Sequence, residues 1–240
     1  MRPPDFRSEL RGAVYRGDGP AVVALVGDQL LPGDALQLIG DGLVVAFALQ
    51  TQGAADLAGA CARALRQRGW DGDEQLADQL GALLGTSPTP MLRPLPVDLE
   101  ELAGVLEGDP TFGGGRVDRL TGQVWPQAAI DYARETGEED EDESDDPDRW
   151  LWVHCEGSRA GYHDMVQFIG TVDDRDRADR LGIAIEGRGA FRRFKDVPAR
   201  WPGVRDRWYE YADDRLLGRA RAWLADAGYR PALRTDPPTG

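Results

Sequence analysis

Four prolines fall within the eleven residues Thr86 to Pro96, TSPTPMLRPLP, and no other stretch limits the folding of this chain so sharply. Proline fixes φ, lacks an amide donor and drives the residue before it to extended backbone, so no helix runs through the segment. A chain of 240 residues is long for one ordinary domain. The patterning also changes across the prolines, which places a domain boundary there, with a first domain over 1–90 and a second over 97–229.

Before the boundary the text reads as short helices punctuated by glycine, over about 4–16, 20–31, 34–51, 54–68 and 73–85. Leu57, Cys61, Ala64 and Leu65 recur at helical spacing, as do Leu76, Leu80, Leu83 and Leu84. An all-α domain is expected, and without a fixed repeat it reads as a bundle rather than a solenoid. Beyond the boundary, Val97 to Glu107 predicts a short helix and Gly113 to Pro126 a hairpin turning at Thr121-Gly122. In WLWVHC, Trp150 to Cys155, strand alternation sets Leu151, Val153 and Cys155 on one face and Trp150, Trp152 and His154 on the other.

Helices follow. Ser158 is positioned to cap one whose apolar stripe is Tyr162, Met165, Val166, Ile169 and Val172; a second spans about 174–186; a third runs from Pro202 to about Ala227. The expected fold class is α+β: an all-α N-terminal domain, then a small antiparallel sheet packed with C-terminal helices. Residues 230–240 read as a flexible tail.

The net charge of −14 is not a property of the whole chain, because ten of the 42 acidic residues lie between Glu135 and Asp148 with no basic residue among them. The remaining 32 acids stand against 28 bases, a difference of only −4. The run reads as a disordered acidic insert near 135–148, or more sharply as a tethered polyanion that occupies a basic surface in cis. Cys61 and Cys155 have no paired spacing, so a disulfide framework is not expected. No secretory h-region and no spanning apolar run is present, and a cytoplasmic protein without membrane contact is expected.

His154, His163 and Cys155 lack the spacing of a zinc set, and Gly108 to Arg116 lacks the Lys-Ser/Thr of a phosphate-binding loop. No metal, cofactor or catalytic residue is assigned. The most unusual local arrangement is GRGAFRRFKD, Gly187 to Asp196, which holds Lys195, the single lysine beside 27 arginines. On a helix Arg188, Arg192 and Lys195 fall at i, i+4 and i+7, flanked by Phe191 and Phe194. Either the two rings plug the core while the cations pair with acids such as Glu186 and Asp196, or the cations and rings present a site for an anion or partner. On the closing helix Val204, Trp208, Ala212, Leu216, Ala220, Trp223 and Leu224 trace an apolar stripe with Arg215 and Arg219 close to it. These two arginines snorkel outward or join Arg188, Arg192 and Lys195 around a basic pocket.

The strings VDRLTGQVW, WLWV, MVQFI, GRGAFRRFKD, RDRWYEY and ARAWLADAGY, in this order, resemble uncharacterised protein family one-five-eight, bacterial proteins of unknown function, over residues 97–229. Pro198 departs from the apolar helix-former expected there, and the N-terminal domain lies outside the common module. The resemblance brings no activity, so chemistry rests on the residues. A non-enzymatic binding or regulatory protein is expected, with Arg188, Phe191, Arg192, Lys195, Trp208, Arg215 and Arg219 facing a protein partner or small anion. The alternatives are an RNA or nucleotide-phosphate binder gated by the acidic run, and a hydrolase or transferase built near His154 and His163. Overall acidity and the lack of a known module disfavour nucleic acid.

Overall fold

Glycine breaks set the lengths of the first helices in the computed structural model, which describes residues 6–27, 31–108, 111, 113–137, 146–155 and 157–232. They are α1 (Phe6–Tyr15), α2 (Gly19–Gly27), α3 (Leu36–Ala48), α4 (Ala54–Arg68) and α5 (Asp73–Leu83). Helix α3 is the centre of this bundle, buried from Leu36 through Gly40 and from Gly42 through Ala46. A Cβ on Gly40 would lie 2.4 Å from Leu76 of α5, and one on Gly42 would lie 2.9 Å from Val22 of α2, so glycine lets both neighbours approach.

The proline segment resolves into β1 (Arg93–Leu95), followed by α6 (Leu99–Leu106), β2 (Gly115–Asp118), β3 (Val124–Pro126), α7 (Gln127–Thr136) and β4 (Trp150–Val153). The chain continues through α8 (Arg159–Ile169), α9 (Arg175–Ile185), α10 (Ala190–Asp196), α11 (Pro202–Asp226) and β5 (Tyr229–Pro231). The architecture is α+β, with one three-stranded antiparallel sheet in the order β3-β2-β4 and one parallel pair, β1-β5.

The chain forms two compact units. One joins Met1–Leu95 to Asp214–Gly240, and the other is Pro96–Asp213. Helix α11 is therefore divided between them, whereas the sequence grouped its whole length with 97–229. The expected tail from 230 is corrected at its start, because Arg230 and Pro231 belong to β5, paired in register with Pro94 and Leu95. Amides of Arg93 and Ala232 make the flanking bonds to Gly228 and Leu95, which leaves both prolines where no donor is needed. Residues 233–240 lie outside the described residues, as does most of the acidic run, 138–145.

In the second unit turn chemistry fixes the hairpin. The Asp118 carboxylate accepts from the amides of Leu120 (2.7 Å) and Thr121 (3.0 Å), and Gly122 takes a positive φ of 74° with Pro96 O 2.5 Å from where a Cβ would stand. Arg116 sits opposite Trp125 on β3 and Trp152 on β4, and its guanidinium stacks 3.8 Å from the Trp150 ring centre. The tryptophan face of β4 thus holds a buried cation beside the edge-on contact of Trp150 with Trp125, 6.3 Å between ring centres.

The core behind the helices is aromatic. Phe168 of α8 meets Phe194 of α10 and Trp208 and Tyr211 of α11 at centroid distances of 6.5, 5.2 and 5.5 Å. This rotates α8 from its expected stripe: Asp164, Met165 and Phe168 are buried, while Tyr162 and Val166 are exposed. Ser158 precedes α8 without capping it through its side chain, whereas Asp98 and Asp174 do cap α6 and α9. No helix among the described residues is long and apolar enough to cross a membrane.

Candidate functional site

Ten residues of GRGAFRRFKD divide into a part that builds the fold and a part that faces outward. Gly187 and Gly189 adopt φ of 71° and 79°, which turns the chain between α9 and α10. The end of a helix leaves carbonyls without intrahelical donors, and here Arg193 supplies them. Its Nε donates to Ala184 O at 3.1 Å, and its Nη groups donate to the carbonyls of Glu186 and Arg188. Ala190 and Phe194 are buried, with Phe194 4.8 Å from Trp208.

Arg188, Phe191, Arg192 and Lys195 are exposed in the same segment. Helix α10 begins at Ala190, so Arg188 precedes it, while Phe191 and Lys195 stand at i, i+4 and Arg192 and Lys195 at i, i+3. Side chains of Arg188, Arg192 and Lys195 make no hydrogen bond or ion pair among the described residues. Phe191 lies over Gly161 of α8, where a Cβ would come within 3.2 Å of its ring, and remains 39% exposed. Beside that glycine, α8 exposes Tyr162 and Val166. Trp208 is instead a half-buried member of the aromatic core.

Arg215 and Arg219 belong to the other unit, so the five cations expected around one pocket divide three and two. Arg215 is buried, with Nη2 3.5 Å from an Asp71 carboxylate oxygen and its guanidinium 5.1 Å from the Trp70 ring centre. Arg219 is half-buried. Neighbouring charges form a network that the sequence did not disclose. Arg68 binds Asp73 through Nε and Nη2 and Asp214 through Nη1, at 2.9, 2.5 and 2.5 Å. Asp214 also accepts the Gln37 amide at 2.9 Å, and Arg221 reaches Gln37 Oε1 at 2.8 Å and Asp41 at 2.6 Å.

Burial would lower the Arg68 pKa, but bonds and charges from Asp73 and Asp214 outweigh it and hold the guanidinium above its ordinary value. Burial raises the Asp214 carboxyl against the opposing pull of Arg68. Burial, helped by Asp214, pushes the Cys61 thiol up to about 12, so this buried cysteine is a core side chain rather than a nucleophile. The legible signal was the placing of Asp214, Gly218 and Arg221 at i, i+4 and i+7, a stripe on α11 parallel to the apolar one. Gly218 is essential to that face: a Cβ there would stand 2.2 Å from Asp71 O.

His154 is exposed after β4. His163 is exposed on α8, with Nε2 2.9 Å from the Gln167 amide, whose Oε1 accepts from Tyr211. Cys155 donates to Gly108 O. Among the described residues no group of three or more His, Cys, Asp or Glu side chains is placed to hold a metal ion.

No solved structure matches the chain significantly. A protein of Pseudomonas aeruginosa named UPF0158 protein PA5073 is 27% identical over 154 residues, which cover 61% of this chain and 92% of that protein. The match to Uncharacterised protein family (UPF0158) spans residues 97–239, from the approach to α6 through the hairpin, the α10 segment and α11, and the chain belongs to that family.

Proposed function

We propose that this chain is a cytoplasmic, non-enzymatic binding protein that engages an acidic protein partner through Arg188, Phe191, Arg192 and Lys195. One observation carries the reading: Arg193 and Phe194 are taken up by capping and core packing, while the four neighbours stay exposed and, among the described residues, their cations make no ion pair even with nearby Glu186 and Asp196. Like charges at helical spacing repel, and carboxylates on a partner offset that cost while accepting from the guanidinium forks. Phe191 supplies an aromatic anchor, and exposed Tyr162 and Val166 extend the apolar ground around it. A surface of this make-up suits a macromolecule better than a single small anion.

The test compares affinity purification on the full-length wild type with Arg192→Glu and Lys195→Glu, followed by titration of the captured protein at two salt concentrations. An acidic protein retained by the wild type, lost on both variants and weakened by salt is the expected result. Retention of the same protein by both folded variants would refute the assignment. Saturable binding of inorganic phosphate by the wild type with no captured protein would transfer the face to a small anion.

A further inference from the structure

The antiparallel sheet ends in two outer strands, and their free edges differ. Strand β2 serves its neighbours with alternate residues: the Asp118 amide donates to Gln123 O at 3.0 Å on the β3 side, and the Arg119 amide to Arg149 O at 2.8 Å on the β4 side. Val117 stands opposite Leu151 and Gly115 opposite Val153, so Arg149, Leu151 and Val153 face β2 while the amide and carbonyl of Trp152 turn away from it. Among the described residues no hydrogen bond reaches either group of Trp152. By the same alternation β3 turns Val124 and Pro126 outward, and proline offers no amide to an incoming strand. Strand β4 has no proline, lysine or bulge. Of the seven tryptophans only Trp152 is exposed, at 38%, and it is the residue whose backbone is open.

We infer that the β4 edge pairs with β4 of a second copy of this chain, antiparallel about a two-fold axis at Trp152, which joins two three-stranded sheets into one. A donor and an acceptor open on one residue are self-complementary, so an axis there closes two N–H···O bonds between the copies. Trp150, Trp152 and His154 share one face of the strand and include no carboxylate, lysine or arginine. Indole therefore meets indole at the axis, and Trp150 comes opposite His154 of the second copy. Charge sets the direction. Asp146 and Asp148 stand just ahead of the strand, and antiparallel pairing carries these acids to opposite ends, whereas a parallel partner would lay them side by side. A strand of four residues buries well under the ~1,200 Å² of a stable interface, so the dimer is weak and follows concentration. The edge shares no residue with the α10 face and stands or falls without it.

The test follows the full chain by sedimentation velocity over a dilution series, with amide exchange by NMR at both ends of the series. A monomer–dimer equilibrium with Kd of about 1 mM or tighter is expected, and the Trp152 amide, open in the monomer, exchanges more slowly in proportion to the dimer formed. Trp152→Glu sets two carboxylates face to face at the axis and is expected to weaken the dimer at least about tenfold, with far-UV circular dichroism as the check on folding. If that variant unfolds, amide exchange in the wild type decides the question. A folded Trp152→Glu that dimerises like the wild type, or a dimer whose Trp152 amide exchanges as fast as in the monomer, would overturn the assignment. So would a monomer at every concentration up to about 1 mM, which leaves the edge to a strand from another protein.

Discussion

Arg68 is the hub of the buried network, and the structure ranks what its removal costs against the removal of one spoke. In Arg68→Met two carboxylates, Asp73 and Asp214, both at 0% exposure, lose their cation together. Breaking one buried pair costs about 3–5 kcal/mol, and stranding two carboxylates exceeds the lower end of a typical domain stability of about 5–15 kcal/mol. In Asp214→Asn the amide oxygen still accepts the Gln37 amide, and Arg68 keeps its two bonds to Asp73. Only one charge-assisted bond is lost, about 1.5–3 kcal/mol. Urea unfolding by far-UV circular dichroism measures both, with amide exchange in α3 and α11 assigning the loss to this unit. A cost for Asp214→Asn equal to that of Arg68→Met would refute the hub. The pH dependence adds a sign. Because burial holds the native Asp214 carboxyl above its unfolded value, the native state binds more protons between the two, and stability falls as pH rises through that window. Asp214→Asn lacks this slope, so its penalty against the wild type is larger below the window than above it.

Gly218→Ala sets helix propensity against packing. Alanine gains about 1 kcal/mol inside a helix, but the new Cβ would meet the backbone of Asp71 at 2.2 Å, where overpacking costs about 1–3 kcal/mol. A net loss in thermal unfolding is expected, while Gly203→Ala, in open space on the same helix, is neutral or stabilising. Among the phenylalanines, Phe194→Ala removes a ring from the aromatic core and is expected to cost about 3–5 kcal/mol in urea unfolding. Phe191→Ala, at 39% exposure, is expected to change stability by well under half of that; equal losses would show that Phe191 is a core residue.

What the sequence disclosed follows from the reach of each signal. Glycine stops and proline starts act over a few residues, so the ends of α4 at Gly69 and the opening of α11 at Pro202 were legible. The parallel pair β1-β5 was not, because its strands are three residues each, rich in proline, and separated by more than a hundred positions. Helix α7 went unread since only Ile130 and Ala133 of its ten residues are buried, too little apolar content to give a period. On α8 the stripe was misplaced because burial follows Phe168 into the aromatic cluster and takes Asp164 inward with it. For the candidate face, spacing placed Arg192, Lys195 and Phe191 together, but hydrogen bonding alone reveals that Arg193 is a cap.

The family match begins at residue 97, yet the contacts of α11 do not respect that limit. Asp214 and Arg221 lie inside the match, while Gln37, Asp41 and Arg68, which satisfy them, lie outside it. Buried charges without these partners would be costly, so residues 97–239 of this chain do not close their own polar inventory. The same holds for backbone packing, since Gly218 has its close neighbour in Asp71. The proline segment that separates helical text from mixed text is therefore a boundary of patterning, not of interdependence: the second half of α11 is specified together with α3 and the 68–73 turn. In contrast, the α10 face draws its supports, Arg193, Phe194, Phe168 and Trp208, wholly from Pro96–Asp213. Substitutions on that face are thus separable from those that weaken the Arg68 hub, and this separation lets a loss of binding be told apart from a loss of fold.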